Sequence, residues 1–178
     1  MGEARGAVKG ARGATRGTGA RRGGVAYDRG MTGELPPDLT ARIAGRDLIV
    51  FDGECVLCSR FFRFILGVDK ARRFHFAHAQ SELGAEIYRA LDLPVDEYET
   101  NIVIVEGRIY QRLDAFAAAM RAVDWPWKAL AAVRLIPEPL RSWLYHRVAR
   151  NRYAVFGRYD RCMLPDPGVT ARFIDRAG

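Results

Sequence analysis

Cys55 and Cys58 are separated by Val56 and Leu57, a Cys-x-x-Cys spacing that sets two thiols one helical turn apart. The pair follows the apolar run Leu48-Ile49-Val50-Phe51 and the turn residues Asp52-Gly53. It precedes Phe61, Phe62, Ile65 and Val68, which repeat at the spacing of an amphipathic helix beginning near Cys55. The motif therefore falls between a strand and a helix. A cysteine in the first helical turn meets unpaired backbone N–H groups and the positive end of the helix dipole, and both favour thiolate. Cys55 is accordingly the expected attacking thiol. Cys58 is the expected resolving thiol, which closes a disulfide or releases a mixed one. Asp52 has two readings that need not exclude each other: general acid/base for the proton of the resolving thiol, or cap of the helix N-terminus or turn former. Its charge beside Cys55 would also raise the thiol pKa and oppose the dipole.

The same cysteines admit a rival chemistry. Cys55-x-x-Cys58 followed by His75-x-x-His78 has zinc-ligand residue types. The spacing fits poorly, because sixteen residues separate the halves. His75 also lies in an apparent strand, where residues three apart face opposite sides. Cys162 reads as a small buried hydrophobe, with a third redox thiol as the functional alternative. A further reading keeps the fold and makes the chain a non-catalytic interaction module.

The elements that must position these residues follow from periodicity. Residues 47–51 read as a buried strand, and Arg73-Phe74-His75-Phe76-Ala77 alternates as a second. Ser81 reads as the N-cap of a helix carrying Leu83, Ile87, Ala90 and Leu91. Residues 101–113 read as strand, Glu106-Gly107 turn and strand. Asp114 can then cap a helix with Phe116, Met120 and Val123 on its core face. The predicted order, β-α-β-α-β-β-α, is that of an α/β, thioredoxin-like sheet with additional C-terminal helices. One of those helices starts at Pro126 and carries Trp127, Leu130 and Leu135. After Pro137-Glu138-Pro139 another carries Leu140, Trp143, Leu144 and Val148. The Trp-rich stripe is expected to pack on the domain, a membrane-surface helix being the sharper alternative.

The chain has 178 residues, 49% of them hydrophobic and 28% charged, which suits one domain with a real core. Its net charge of +7 is unevenly spread. Residues 1–30 hold seven Lys/Arg against Glu3 and Asp28, whereas residues 31–138 hold thirteen basic and sixteen acidic groups. Six arginines against Asp160 make residues 139–161 basic again. The basicity thus belongs to a tail and one late segment, which weakens a nucleic-acid reading; no specific nucleic-acid partner is expected. Residues 1–30 are rich in Gly, Ala and Arg with little to bury, and read as a disordered basic tail. No apolar h-region marks an export signal and no run is long enough to span a bilayer, so a cytoplasmic protein is expected.

Asp52-Gly53-Glu54-Cys55-Val56-Leu57-Cys58 resembles the signature of the DCC family of thiol-disulfide oxidoreductases, named for one Asp and two Cys. The stretch from Arg150-Asn151-Arg152-Tyr153 through Phe156-Gly157-Arg158 to Cys162 is similar to that family's C-terminal region. The likeness runs from about Asp47 to the end, within a domain drawn at 46–178. It implies a thioredoxin-like fold and dithiol chemistry through Cys55 and Cys58. Unlike ordinary thioredoxins, the chain has no proline adjacent to the start of the third strand, Pro94 being too far upstream, and Thr100 is expected in that place. The expected activity is thiol-disulfide exchange of the protein-disulfide reductase type, with Cys55, Cys58 and Asp52 catalytic. No cofactor is expected. The substrate would be a disulfide-containing protein or small molecule, and a separate reductant would recycle the dithiol.

Overall fold

Strand β1, Asp47–Phe51, is buried along its whole length because it runs through the middle of a four-stranded sheet. The computed structural model describes residues 35–96, 98–159 and 167–175. The expected tail, residues 1–30, and Cys162 lie outside the described residues. Helix α1 (Pro37–Ile43) precedes β1, and helix α2 (Val56–Val68), strand β2 (Phe74–His78) and helix α3 (Glu82–Ala90) follow it. Strands β3 (Ile102–Val105) and β4 (Arg108–Gln111) form a hairpin ahead of helix α4 (Arg112–Ala122). A 3-10 segment (Trp127–Leu135), helix α5 (Glu138–Phe156) and the short helix α6 (Pro167–Thr170) complete the order.

The sheet order is β2-β1-β3-β4. Strand β1 pairs in parallel with β2 through the α2 crossover and antiparallel with β3, and β3 pairs antiparallel with β4. Glu106 and Gly107, with φ of 53° and 74°, both take left-handed backbone, as a two-residue hairpin turn requires. This mixed α/β arrangement is consistent with the thioredoxin-like fold expected from the element order.

Alternation along the strands divides the core into two layers. Ile49, Phe51, Phe74, Phe76 and Val103 face α2 and α4, where they meet Phe62, Ile65 and Met120. Leu48, Val50, Ala77, Ile102 and Ile104 face α1 and α3, where they meet Leu39, Ile43, Leu83, Ile87 and Tyr88. Phe62 stacks on Phe51 at 4.8 Å between centroids and meets Phe76 edge-on. Each such buried ring contributes on the order of 2 kcal/mol in removed apolar surface. Those contacts fix α2, and hence the cysteines at its start, against the end of β1.

Several elements differ in detail from expectation. Ser81 does cap α3, its Oγ accepting from Gly84 N at 3.1 Å, but Ala90 is exposed and Tyr88 takes the inward position. The reason is the helical phase, since Tyr88 Oη donates to the Thr100 carbonyl across the layer. Helix α4 starts at Arg112, so Asp114 lies in its first turn and pairs with Arg134 and Arg141 instead of capping. The segment from Trp127 is a 3-10 helix with Trp127, Leu130 and Val133 three apart on one side, matching three residues per turn. Its stripe does not pack as expected. Trp127 meets Phe64 edge-on, yet no residue of the segment is buried, and in α5 Trp143 is 62% exposed. Helix α5 buries only Ala149 and Arg152, because it touches the domain along the side facing α2 and α4.

The C-terminal stretch closes the other edge. Phe173 forms a parallel bridge with Phe76, with Phe76 N donating to the Arg172 carbonyl and Ile174 N to the Phe76 carbonyl. The exposed edge of β2 is thereby covered, and the Phe173 ring joins Phe51, Phe62 and Phe76.

Gly84 shows how tightly α3 lies on the end of β2. A Cβ there would meet the His78 carbonyl oxygen at 2.1 Å and Ala79 Cα at 2.8 Å, both backbone atoms that cannot swing away. Gly84→Ala is expected to destabilise the fold by about 2 kcal/mol or more, the cost of forced overpacking. Thermal unfolding measures it; an unchanged melting temperature would contradict this packing.

Candidate active site

Cys55 is the N-cap of α2, in extended backbone conformation, and its Sγ accepts the Cys58 backbone N–H at 3.4 Å. Gly53 and Glu54 form the turn that carries the chain from β1 into the helix, with Cys55 N donating to the Asp52 carbonyl. Both thiols are free and buried, Cys55 at 0% exposure and Cys58 at 5%. The hydrogen bond from the Cys58 thiol to Cys55 does most to lower the Cys55 pKa, to about 7; burial and Asp52 oppose it, and the Cys58 amide and Arg152 assist. The same bond and burial push Cys58 well upward. The two environments thus draw the Cys55 pKa down and push that of Cys58 up.

Asp52 directly follows β1 and has no solvent exposure. It does not cap α2, because the start of the helix at Val56 makes Cys55 the cap. Asp52 Oδ1 accepts from Glu54 N at 2.9 Å and from Gln80 Nε2 at 2.6 Å, while Gln80 Oε1 accepts from Gly53 N. Oδ2 accepts from Tyr153 Oη at 2.5 Å and lies 3.4 Å from an Arg152 terminal nitrogen. Arg152 also donates to the Ala149 carbonyl and to Tyr153 Oη, and its guanidinium lies 4.2 Å from the Tyr153 ring centroid. Burial together with the Asp52 bond pushes the Tyr153 phenol up to about 12, which keeps it a neutral donor.

Arg152, Tyr153 and Gln80 were not identifiable as site residues by local spacing. Arg152 and Asp52 are one hundred positions apart, and a basic-aromatic pair within a helix has many ordinary explanations. The only signal was the late Arg150-Asn151-Arg152-Tyr153 stretch in the family resemblance. Thr100 is buried ahead of β3, and extending the Val50–Ile102 register sets it opposite Asp52.

The zinc-type residues go to different places. His78 donates its backbone N–H to Asp175 Oδ2, with Nδ1 3.0 Å from the same oxygen, and its ring stacks on Phe173. Strand alternation turns His75 to the opposite face. Among the described residues no three His, Cys, Asp or Glu side chains gather in a metal-holding group.

A short strap crosses the motif. Val56 N donates to the Gly157 carbonyl, Tyr159 N donates to the Glu54 carbonyl at 2.8 Å, and Cys55 and Arg158 form an isolated antiparallel bridge. Arg158 adds an ion pair with Glu54. Gly157 has φ of 88°, a left-handed conformation that glycine adopts without strain at the end of α5. Beside the strap is a cavity of about 420 Å³ whose walls include Gln80, Arg150, Arg152 and Tyr153.

A dithiol at the start of the first crossover helix of a thioredoxin-like sheet, above a buried carboxylate, defines a redox-type thiol site. The model of the DCC1-like thiol-disulfide oxidoreductase matches residues 49–158, which include the motif and both Asp52-binding residues of α5. The chain belongs to that family. It is similar to the uncharacterized protein YuxK of Bacillus subtilis, 32% identical over 127 residues, covering 71% of this chain and 93% of that protein. It is also similar to a chloroplastic DCC family protein of Arabidopsis thaliana, 33% identical over 120 residues, covering 67% and 70% respectively. No solved structure matches the chain. No helix among the described residues is long and apolar enough to cross a membrane.

Two outcomes test this geometry. Alkylation of Cys55 is expected to rise with pH through a midpoint of about 7, because thiolate is the reactive form, with Cys58 unreactive until higher pH. Equal reactivity of the two thiols at neutral pH would contradict the assigned asymmetry. Arg158→Ala removes the ion pair that pins the strap and is expected to speed Cys55 alkylation severalfold at pH 8. Mass spectrometry after timed quenching reads both.

Proposed function

We propose that this protein is a thiol-disulfide oxidoreductase of the protein-disulfide reductase type, acting through Cys55 and Cys58. The observation that carries the reading is the pair itself: an N-cap thiol stabilised as thiolate, with a higher-pKa thiol one turn behind it. The Cys55 thiolate attacks one sulfur of a substrate disulfide. A Cys55–substrate disulfide forms, the substrate S–S bond breaks, and the leaving sulfur departs as thiolate and takes a proton from solvent. Cys58 then loses its proton and attacks Cys55 Sγ. The Cys55–Cys58 disulfide forms and the second substrate thiolate leaves. The substrate gains two electrons and the dithiol loses two, so a reducing thiol or dithiol must restore the pair.

Asp52 is the proposed acceptor of the Cys58 proton, being the buried carboxylate whose charge acts on both thiols. The substrate class is a disulfide-bearing protein or small molecule. A reducing, cytoplasmic setting accords with a pair that cycles instead of stapling the fold. The full burial of Cys55 beneath the strap favours one second reading, a non-catalytic thioredoxin-like interaction module.

Cys58→Ser is expected to accumulate a mixed disulfide on Cys55 when offered a disulfide substrate, and Cys55→Ser to abolish exchange. Equal trapping by both variants would overturn the roles. A glutathione redox titration of the wild type is expected to give a reversible two-electron couple in the range of catalytic dithiols, about −270 to −120 mV. Thiols that never pair across that range would leave the interaction module as the account.

A further inference from the structure

Arg152 is a costly residue to place where it is. It is 4% exposed, its Nε is buried without a hydrogen-bond partner, and it reaches Asp52 from a helix otherwise largely open to solvent. Burying a guanidinium costs free energy unless an anion balances it, and Asp52 is the anion it meets. The same holds in reverse, since Asp52 has no access to water. The pair stands next to two thiols, one of which must carry negative charge to react.

The groups facing the thiols come from several elements. Asp52 comes from the end of β1, the thiols from the start of α2, Tyr88 from α3, and Tyr145, Arg152 and Tyr153 from α5. Burial pushes the Tyr88 and Tyr145 phenols upward, so at neutral pH they are uncharged. Glu54 and Arg158 pair with each other at the rim. Besides the thiols, the opposing charges that act on both sulfurs are therefore Asp52 and Arg152. A thiolate beside an unbalanced Asp52 would put two negative charges in one buried site.

We propose that Arg152 is a positioning residue of the dithiol centre: a buried guanidinium that holds and balances Asp52, so that a thiolate can form beside that carboxylate. It rests on the dithiol reading above and assigns the charge control of that site to α5. Removing Arg152 leaves Asp52 held by three donors, Glu54 N, Gln80 and Tyr153, with no guanidinium to offset it beside the sulfurs. Tyr153 orients the same carboxylate without contributing charge.

The test is the titration of Cys55 by thiolate ultraviolet absorbance, in the full chain carrying Cys58→Ser, so that one sulfur of the pair is read. It needs neither a disulfide substrate nor access past the strap. Arg152→Gln is expected to raise the Cys55 midpoint by a unit or more over the same background. A one-unit rise lowers the thiolate fraction about tenfold at any pH well below the background midpoint. Arg152→Lys, which keeps the charge, is expected to stay near the background value. Arg152→Gln with Asp52→Asn, which removes both charges, is expected to return toward it. A merely structural arginine would give no such restoration. An unmoved midpoint in Arg152→Gln, or no return in the double variant, overturns the proposal. Should Arg152→Gln alone not fold, Arg152→Gln with Asp52→Asn is compared with Asp52→Asn alone; a higher midpoint in the double variant is expected, and an equal one overturns the proposal. Disulfide exchange by the wild type is measured in parallel. Exchange with an unmoved midpoint sinks the Arg152 role alone, whereas a shifted midpoint without exchange sinks the oxidoreductase reading alone.

Discussion

A carboxylate without access to water organises much of this molecule. An ionised Asp52 at the end of β1 would cost several kcal/mol if it stood unpaired. Its four partners come from three directions: the Glu54 amide in the turn, Gln80 after β2, and Arg152 and Tyr153 on α5. Each partner ties its own segment to the point where the cysteines begin. The turn is held in the geometry that makes Cys55 an N-cap, and the loop after β2 is drawn against it. A long helix with few buried residues is anchored by its one buried charged side chain.

The segments that follow the sheet complete the site from outside. Helix α5 brings its arginine and tyrosine inward, and Gly157–Tyr159 lies along Glu54–Val56 as a strap. Phe173 then closes the edge of β2 and fills the aromatic layer beneath α2. The thiol centre is thus roofed by chain distant in sequence, whereas its floor is the ordinary β1-α2 junction. The same C-terminal region leaves Trp125, Leu135 and Trp143 in solvent, because it meets the domain through Trp127 against Phe64, Ala131 and the Asp52 contacts.

The elements of the sheet and of α2 were legible because each repeats its pattern within a few residues. Leu48 to Phe51, the alternation through Phe76 and the Glu106-Gly107 turn state their geometry locally. The family likeness then joined those elements to dithiol chemistry. Local signals misled where packing decided instead. Asp52 had cap chemistry available, but it holds the turn through the Glu54 amide and is otherwise claimed by Gln80, Arg152 and Tyr153, and Asp114 was taken by Arg134 and Arg141. The Trp127 segment carried helix-like spacing, but it takes the tighter 3-10 form, in which residues three apart share a side.

The sequence by itself determined which residues could do chemistry here and on which local structure they stand. A Cys-x-x-Cys between strand and helix specifies an N-cap thiol, since the helix start and its unpaired amides are local properties. Only the tertiary structure decided the charge around that thiol. Arg152 and Tyr153 meet Asp52 across one hundred residues because the fold brings α5 over the end of β1, a contact with no local periodicity to announce it. Burial likewise belongs to the whole fold: Cys55 is covered by a strap whose backbone bonds exist only once both ends of the domain are in place.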